Sequence, residues 1–278
     1  MYKIFDVHTH TYPEAIAEKA VTALGKFYNF VPEGKGIYRE LEQIGADAHI
    51  SGFLLFSVAT NAHQVQKVND GIAAQVRQSR AAGFSTVGFA GIHQDYPDFA
   101  SELDRITEMG LRGVKIHPDI QGINIDDPRM MPLYAEMEKR KLPLYVHMGD
   151  NRPQYRFSTA RRLVRVLERY PDLSVVAAHL GGYQAWMDAP MLVAYPQVLF
   201  DTSSAIWAMT ADYAGELIHI LGTDRVMFGT DYPVKCYESE LSRFFAVPLT
   251  EEERRKILYD NAARFLDLNN EDKYANQS

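Results

Sequence analysis

Eight short apolar or β-branched runs recur along the chain, and amphipathic helical patterns lie between them. In order they are KIFDVHTH (3–10), ISGFLLFSVA (50–59), STVGFAGIH (85–93), LRGVKIHP (111–118), LPLYVHMG (142–149), LSVVAAHLGG (173–182), QVLFDTSS (197–204) and RVMFGTDYP (225–233). Several are nearly continuous hydrophobic stretches, as strands buried on both faces should be. DFASELDRITEMG (98–110) sets Phe99, Leu103 and Ile106 on one helical face and stops at Gly110. Asp127 followed by Pro128 opens a helix over 128–141, hydroxyls open one over 158–171, and a Thr250–Glu253 capping box opens one over 250–266. Strand then helix, eight times, predicts an α/β protein with a parallel sheet, and eight repeats fit a single closed (β/α)8 TIM barrel. An open doubly wound sheet competes, but no glycine-rich dinucleotide fingerprint follows the first run.

The 278 residues suit one such domain, with no linker to divide 1–278, and the 46% apolar fraction supplies a large core. The segment at about 12–48 is long for a connection and holds Tyr12, Phe27, Tyr28, Phe30 and Tyr38; it is a candidate lid or binding loop, or else surface packing. One cysteine, Cys236, permits no internal disulfide and has no neighbouring histidine to activate it. No signal-like or membrane-length apolar run is present, so a cytoplasmic location without membrane contact is expected. A net charge of −7 without a long basic run argues against general nucleic-acid binding.

Catalytic groups of such barrels sit at the C-terminal ends of strands. His8 and His10 share a face at the end of the first run, His147 ends the fifth, His179 the sixth and Asp231 the eighth. Singly, each has a plain alternative as a hydrogen-bonded core residue. Together, four imidazoles and a carboxylate in one apolar mouth would cost several kcal/mol each if unpaired. A divalent cation removes that cost, zinc suiting the set best and manganese, iron or nickel also fitting. A bound water would then have its pKa lowered to about 7. Asp231 would shuttle the proton, and His179, if not a ligand, would polarise a carbonyl or an oxyanion.

DVHTH, the fifth-run histidine, AHLGG, GTDYP and the terminal DNAARFL resemble the amidohydrolase superfamily, in its amidohydrolase-related (amidohydrolase 2) branch, along essentially the whole chain. The resemblance implies a distorted (β/α)8 barrel with one or two metals. It implies His8, His10, His147 and Asp231 as first-metal ligands, and His179 as a second-metal ligand or catalytic electrophile. Binuclear members carry a carboxylated lysine or a glutamate on the fourth strand, where this chain has Lys115 and His117 on one face. One ion beside an unmodified Lys115 is the favoured reading, with two ions the alternative.

Lys115, Arg152, Tyr155 and Trp207 are candidate substrate-binding residues; arginine forks suit carboxylates, although solvated arginines and a packed tryptophan are the plain alternatives. Arg156 shares the loop of Arg152, and His93 ends the third run, where a core hydrogen bond is the simpler role. The expected function is metal-dependent hydrolysis of an amide, lactone or ester in a small polar molecule. Nonoxidative decarboxylation, known in the same branch, is the alternative, and a barrel that binds metal or ligand without turnover is a third reading. Nucleases on related barrels are disfavoured by the acidic balance and the missing fourth-strand glutamate. The sequence leaves homo-oligomerisation open.

Overall fold

The computed structural model describes residues 2–268. Its strands are β1 (Phe5–His10), β2 (Gly52–Phe56), β3 (Ser85–Gly88), β4 (Ala90–Gly91), β5 (Val114–Ile116), β6 (Leu144–Val146), β7 (Val175–Ala177), β8 (Val198–Asp201) and β9 (Val226–Met227). They pair in parallel as β1-β2-β3 and as β4 through β9 in order. β3 and β4 are one strand position broken at Phe89. The Phe89 N–H still donates to Leu55 O, at 2.9 Å, and the next amide, Ala90, donates to Gly113 O. The other seam is closed by Val7 N–H to Phe228 O (2.9 Å), Asp231 N–H to His8 O (2.9 Å) and His10 N–H to Tyr232 O (2.7 Å). Eight strand positions therefore form a closed (β/α)8 barrel, as the repeat predicts.

The helices are α1 (Glu14–Tyr28), α2 (Tyr38–Asp47), α3 (Val65–Ala81), α4 (Phe99–Glu108), the short α5 (Pro118–Gln121), α6 (Met131–Arg140), α7 (Ala160–Arg169), α8 (Ala211–Leu221) and α9 (Tyr237–Ala246). Asp98 and Thr159 accept from the Ser101 and Arg162 amides at the starts of α4 and α7, and the Thr250–Glu253 capping box is present. Alternate strand residues divide between two apolar clusters. Leu54, Phe56, Val87, Phe89, Tyr145, Val176 and Met227 fill the interior, whereas Phe53, Leu55, Val114, Ile116, Val146 and Val175 pack beneath the helices. Ala262 and Leu266 of the terminal helix join the interior cluster. Asn261 pins that helix by donating to Thr223 O (2.8 Å) and Val226 O (2.7 Å).

The segment 12–48 differs from the expected loop, because it holds α1 and α2. Ala20, Ala23, Leu24 and Phe27 recur at the helical i, i+3, i+4, i+7 spacing and line a cavity at the barrel mouth. Asn29, at φ +57, ends α1. Among the described residues, no helix is long and apolar enough to cross a membrane.

Candidate metal centre

The cavity encloses about 270 Å3. Strand geometry sets its floor, since β1 directs both His8 and His10 into it, with His8 and His10 only 1% and 7% exposed. Asp231, just past β9, completes a triangle. His8 Nε2 lies 3.2 Å from His10 Nε2 and 3.2 Å from Asp231 Oδ1, and His10 Nε2 lies 3.5 Å from the same oxygen. Two ligands about 2.1 Å from one tetrahedral cation sit roughly 3.4 Å apart. The spacing of these three atoms therefore matches that of ligands around one cation.

The backbone under this site is bent to aim it. His179 (φ +61), Ser204 (φ +47) and Asp231 (φ +60) all line the cavity in left-handed backbone, a conformation costing about 1–2 kcal/mol in a non-glycine residue. Gly229 permits the close packing beneath, because an added Cβ would lie 2.9 Å from the His8 Cβ. Ser204 Oγ donates to Asp231 Oδ2 at 2.6 Å.

Asp201 orients His8. It receives His8 Nδ1 at 2.9 Å, the His179 amide at 3.0 Å, the Ser203 amide at 2.9 Å, and the Tyr145 and Ser203 hydroxyls. A buried carboxylate on Nδ1–H leaves the Nε2 lone pair facing the triangle. Burial alone would raise the Asp201 and Asp231 carboxyls, but the His8 imidazole holds both below the usual carboxylate range. Burial and Lys115 act to lower His8; Asp231 and Asp201 outweigh them and raise it. Lys115, wholly buried, sets its Nζ 3.2 Å from His8 Nε2 and between the Phe56 and Tyr145 rings, and burial pushes it down to about 8. His147 and His179 are pushed down to about 3, chiefly by burial.

The structure brings His8, His10, His147, His179, Lys115 and Asp231 to one cavity. Besides the triangle, ligand atoms close enough for one ion are found among the described residues in His8–His179–Asp231, which shares two members with it, and in His117–Asp119–His147. His147 thus faces the second group while its Nδ1 meets His179 Nε2 at 2.9 Å. Arg152, Tyr155 and Trp207 do not line the cavity. Arg152 is engaged by Asp150 (2.7 Å) and the Phe27 carbonyl, and Trp207 lies beside Lys235. His93 accepts the Asp95 amide at 3.2 Å. Sequence reasoning passed over Asp201 and Asp119. Asp201 ends a strand and obeys the rule that found the other residues; Asp119 lies past Pro118 in α5, where no pattern marks it.

A sequence profile described as amidohydrolase matches residues 5–268. The chain belongs to the amidohydrolase family. A gamma-resorcylate decarboxylase of Rhodococcus jostii is 28% identical over 233 residues, covering 65% of this chain and 70% of that protein. A 2-amino-3-carboxymuconate-6-semialdehyde decarboxylase of Dictyostelium discoideum is 26% identical over 208 residues, 60% of this chain and 56% of that protein. A dihydroxybenzoic acid decarboxylase of Polaromonas sp., solved with manganese and 2-nitroresorcinol bound, superposes with a TM-score of 0.73 at 16% identity, over 99% of this amidohydrolase and all of that chain. These relatives overturn the hydrolytic reaction expected from the sequence: the family resemblance holds, and the three similar proteins named are decarboxylases. The zinc expectation widens to a divalent cation, since the similar decarboxylase holds manganese.

Proposed function

We propose that this amidohydrolase is a metal-dependent nonoxidative decarboxylase of a small planar carboxylic acid, aromatic or conjugated, with an oxygen substituent beside the carboxylate. The observation that carries the reading is the His8–His10–Asp231 triangle on the floor of a cavity walled by Leu24, Phe27, Tyr28 and Phe30. Flat apolar walls accommodate a ring, and the polar floor fixes its orientation. Manganese is the first ion to load, with zinc as the comparison.

A divalent cation bound there supplies Lewis-acid charge to the substrate's carboxylate and neighbouring oxygen. His8, His10 and Asp231 hold that charge in place, with Asp201 fixing the His8 tautomer. His179, beside the triangle, lines the cavity with its Nε2 edge and is held in place by the Ser203 carbonyl. In the reaction the carbon–carboxylate bond breaks, carbon dioxide leaves, and the bonding pair stays on the ring carbon, which takes one proton. Asp231 is the proposed carrier of that proton. Lys115 supports the floor from below, and the aromatic face of α1 acts as a lid that excludes water.

Decarboxylation needs no nucleophilic water, which is how it differs from the discarded hydrolysis. The test incubates the manganese-loaded protein with 2,6-dihydroxybenzoate, other ortho-hydroxybenzoates and a set of lactones, measuring carbon dioxide and acid release. Carbon dioxide from at least one carboxylic acid, lost in His8→Ala, is expected. Acid release from a lactone without carbon dioxide from any acid would overturn the proposal.

A further inference from the structure

α1 ends on Tyr28, whose ring lines the cavity and whose hydroxyl reaches two imidazoles, His117 Nε2 at 2.8 Å and His147 Nε2 at 3.3 Å. The directions of these bonds are set from both ends. At one end the Ser203 carbonyl can only accept, so His179 Nδ1, 2.8 Å away, carries a hydrogen. A neutral His179 then presents a lone pair at Nε2, and His147 Nδ1, 2.9 Å off, donates to it. His147 Nε2 is left as an acceptor. At the other end His117 caps α5, its Nδ1 accepting the Ile120 amide at 3.4 Å. The hydrogen of a neutral His117 therefore lies on Nε2 and is donated to the Tyr28 oxygen.

The phenol's own hydrogen is thus turned away from His117. On that side it meets His147 Nε2 at 3.3 Å, long for a hydroxyl donor, so the bond is weak. A ligand oxygen at about 2.7 Å takes that hydrogen at a gain. The ring itself is held. The Arg152 guanidinium lies 5.2 Å from the Tyr28 ring centre, 4.8 Å from that of Phe27 and 4.1 Å from that of Tyr155. The same guanidinium donates to the Phe27 carbonyl and is fixed by buried Asp150 at 2.7 Å. Phe30 stacks on Tyr28 with centroids 5.9 Å apart, and Tyr183 meets it edge-on at 5.3 Å. A fixed donor facing the space a ligand fills is how a mostly apolar pocket selects one oxygen atom.

We propose that the Tyr28 hydroxyl is a substrate-binding donor that recognises an anionic oxygen, carboxylate or phenolate, on the ring held in the cavity, and that His117 is the positioning residue that turns its hydrogen toward that oxygen. The proposal rests on the decarboxylase reading for the nature of the ring, and it makes α1 part of the recognition site as well as a wall. The phenol adds a bond without adding a charge. A ligand with no acceptor at that point leaves the hydroxyl on its weak bond to His147 and is bound less well.

The experiment titrates the manganese-loaded full chain with 2-nitroresorcinol, a coloured phenol with no carboxylate to lose, and follows its absorbance. Alongside, kcat and KM are measured for any acid that the wild type decarboxylates. In Tyr28→Phe, which keeps the ring, the dissociation constant and KM are expected to rise about 10- to 100-fold, the worth of a hydrogen bond to a charged oxygen, with kcat changed less. Mn2+ affinity and the circular dichroism spectrum are expected to stay as in the wild type. His117→Phe is expected to weaken binding too, and His117→Gln, whose amide still donates, to retain it. A Tyr28→Phe protein within twofold of the wild type in both measurements overturns the proposal and leaves the decarboxylase reading standing. A wild type that binds 2-nitroresorcinol but decarboxylates nothing removes that reading, and the binding ratio of Tyr28→Phe to wild type then decides the proposal. A wild type that neither binds nor turns over overturns both. His117→Gln as weak as His117→Phe overturns the part given to His117.

Discussion

Replacing Asp201 with asparagine removes the charge behind His8 while keeping nearly the same shape. The bond at stake is His8 Nδ1–H to Asp201 Oδ2, 2.9 Å long and fully buried. A hydrogen bond to a charged group contributes about 1.5–3 kcal/mol and a neutral one about 0.5–1.5 kcal/mol, so the change costs roughly 1–1.5 kcal/mol at this ligand. That is about tenfold in metal affinity, at the lower end of the 10–100-fold range for groups that support a ligand. Ser203 Oγ, 2.8 Å from the same nitrogen, offers Nδ1–H another acceptor and keeps the loss near that lower end. The assay is competition for Mn2+ or Zn2+ against a chromophoric chelator, with circular dichroism confirming the fold. A folded Asp201→Asn protein binding within twofold of the wild type would refute the idea that Asp201 sets the His8 tautomer.

Other consequences follow from groups remote from the cavity. Glu240 is buried, one carboxylate oxygen lacks a partner, and burial pushes it up to about 8 with Arg243 partly opposing. A carboxyl raised above its unfolded value of 4.5 stabilises the fold fully below that value and loses this contribution as pH rises through about 8. Glu240→Gln should therefore match the wild-type Tm near about pH 5 and exceed it near about pH 9; a lower Tm at the higher pH counts against the assignment. Asn261→Ala strands the Thr223 and Val226 carbonyls at a cost of about 2–3 kcal/mol, which thermal melts should show as roughly 3–5 °C in Tm. Cations that bind the folded chain alone should raise Tm, and His8→Ala should reduce that rise at saturating metal.

Much of this architecture is written in short-range pattern. The eight runs are buried on both faces and so stand out as apolar, and His8 and His10 share a side because strand side chains alternate. The polar residues ending those runs converge because a closed parallel barrel has only one mouth. α1 was legible too, in the alanine, glutamate and lysine of EAIAEKAVTALGKFY, but the aromatics and glycines after it favoured the loop reading. Long-range choices were hidden. Whether Arg152 reaches the cavity or turns to Asp150 two residues away depends on where Phe27 of α1 offers its carbonyl. Which nitrogen of His147 faces which neighbour depends on Ser203 and Asp119, from two other strand ends. The reaction was least legible, since hydrolysis and decarboxylation call for the same ligands.

The most direct test is an anomalous difference map at the manganese edge from crystals of the metal-loaded protein. The account predicts a peak inside the first triangle, about 2.1 Å from His8 Nε2, His10 Nε2 and Asp231 Oδ1. A fully loaded protein with no peak among those three atoms would contradict it.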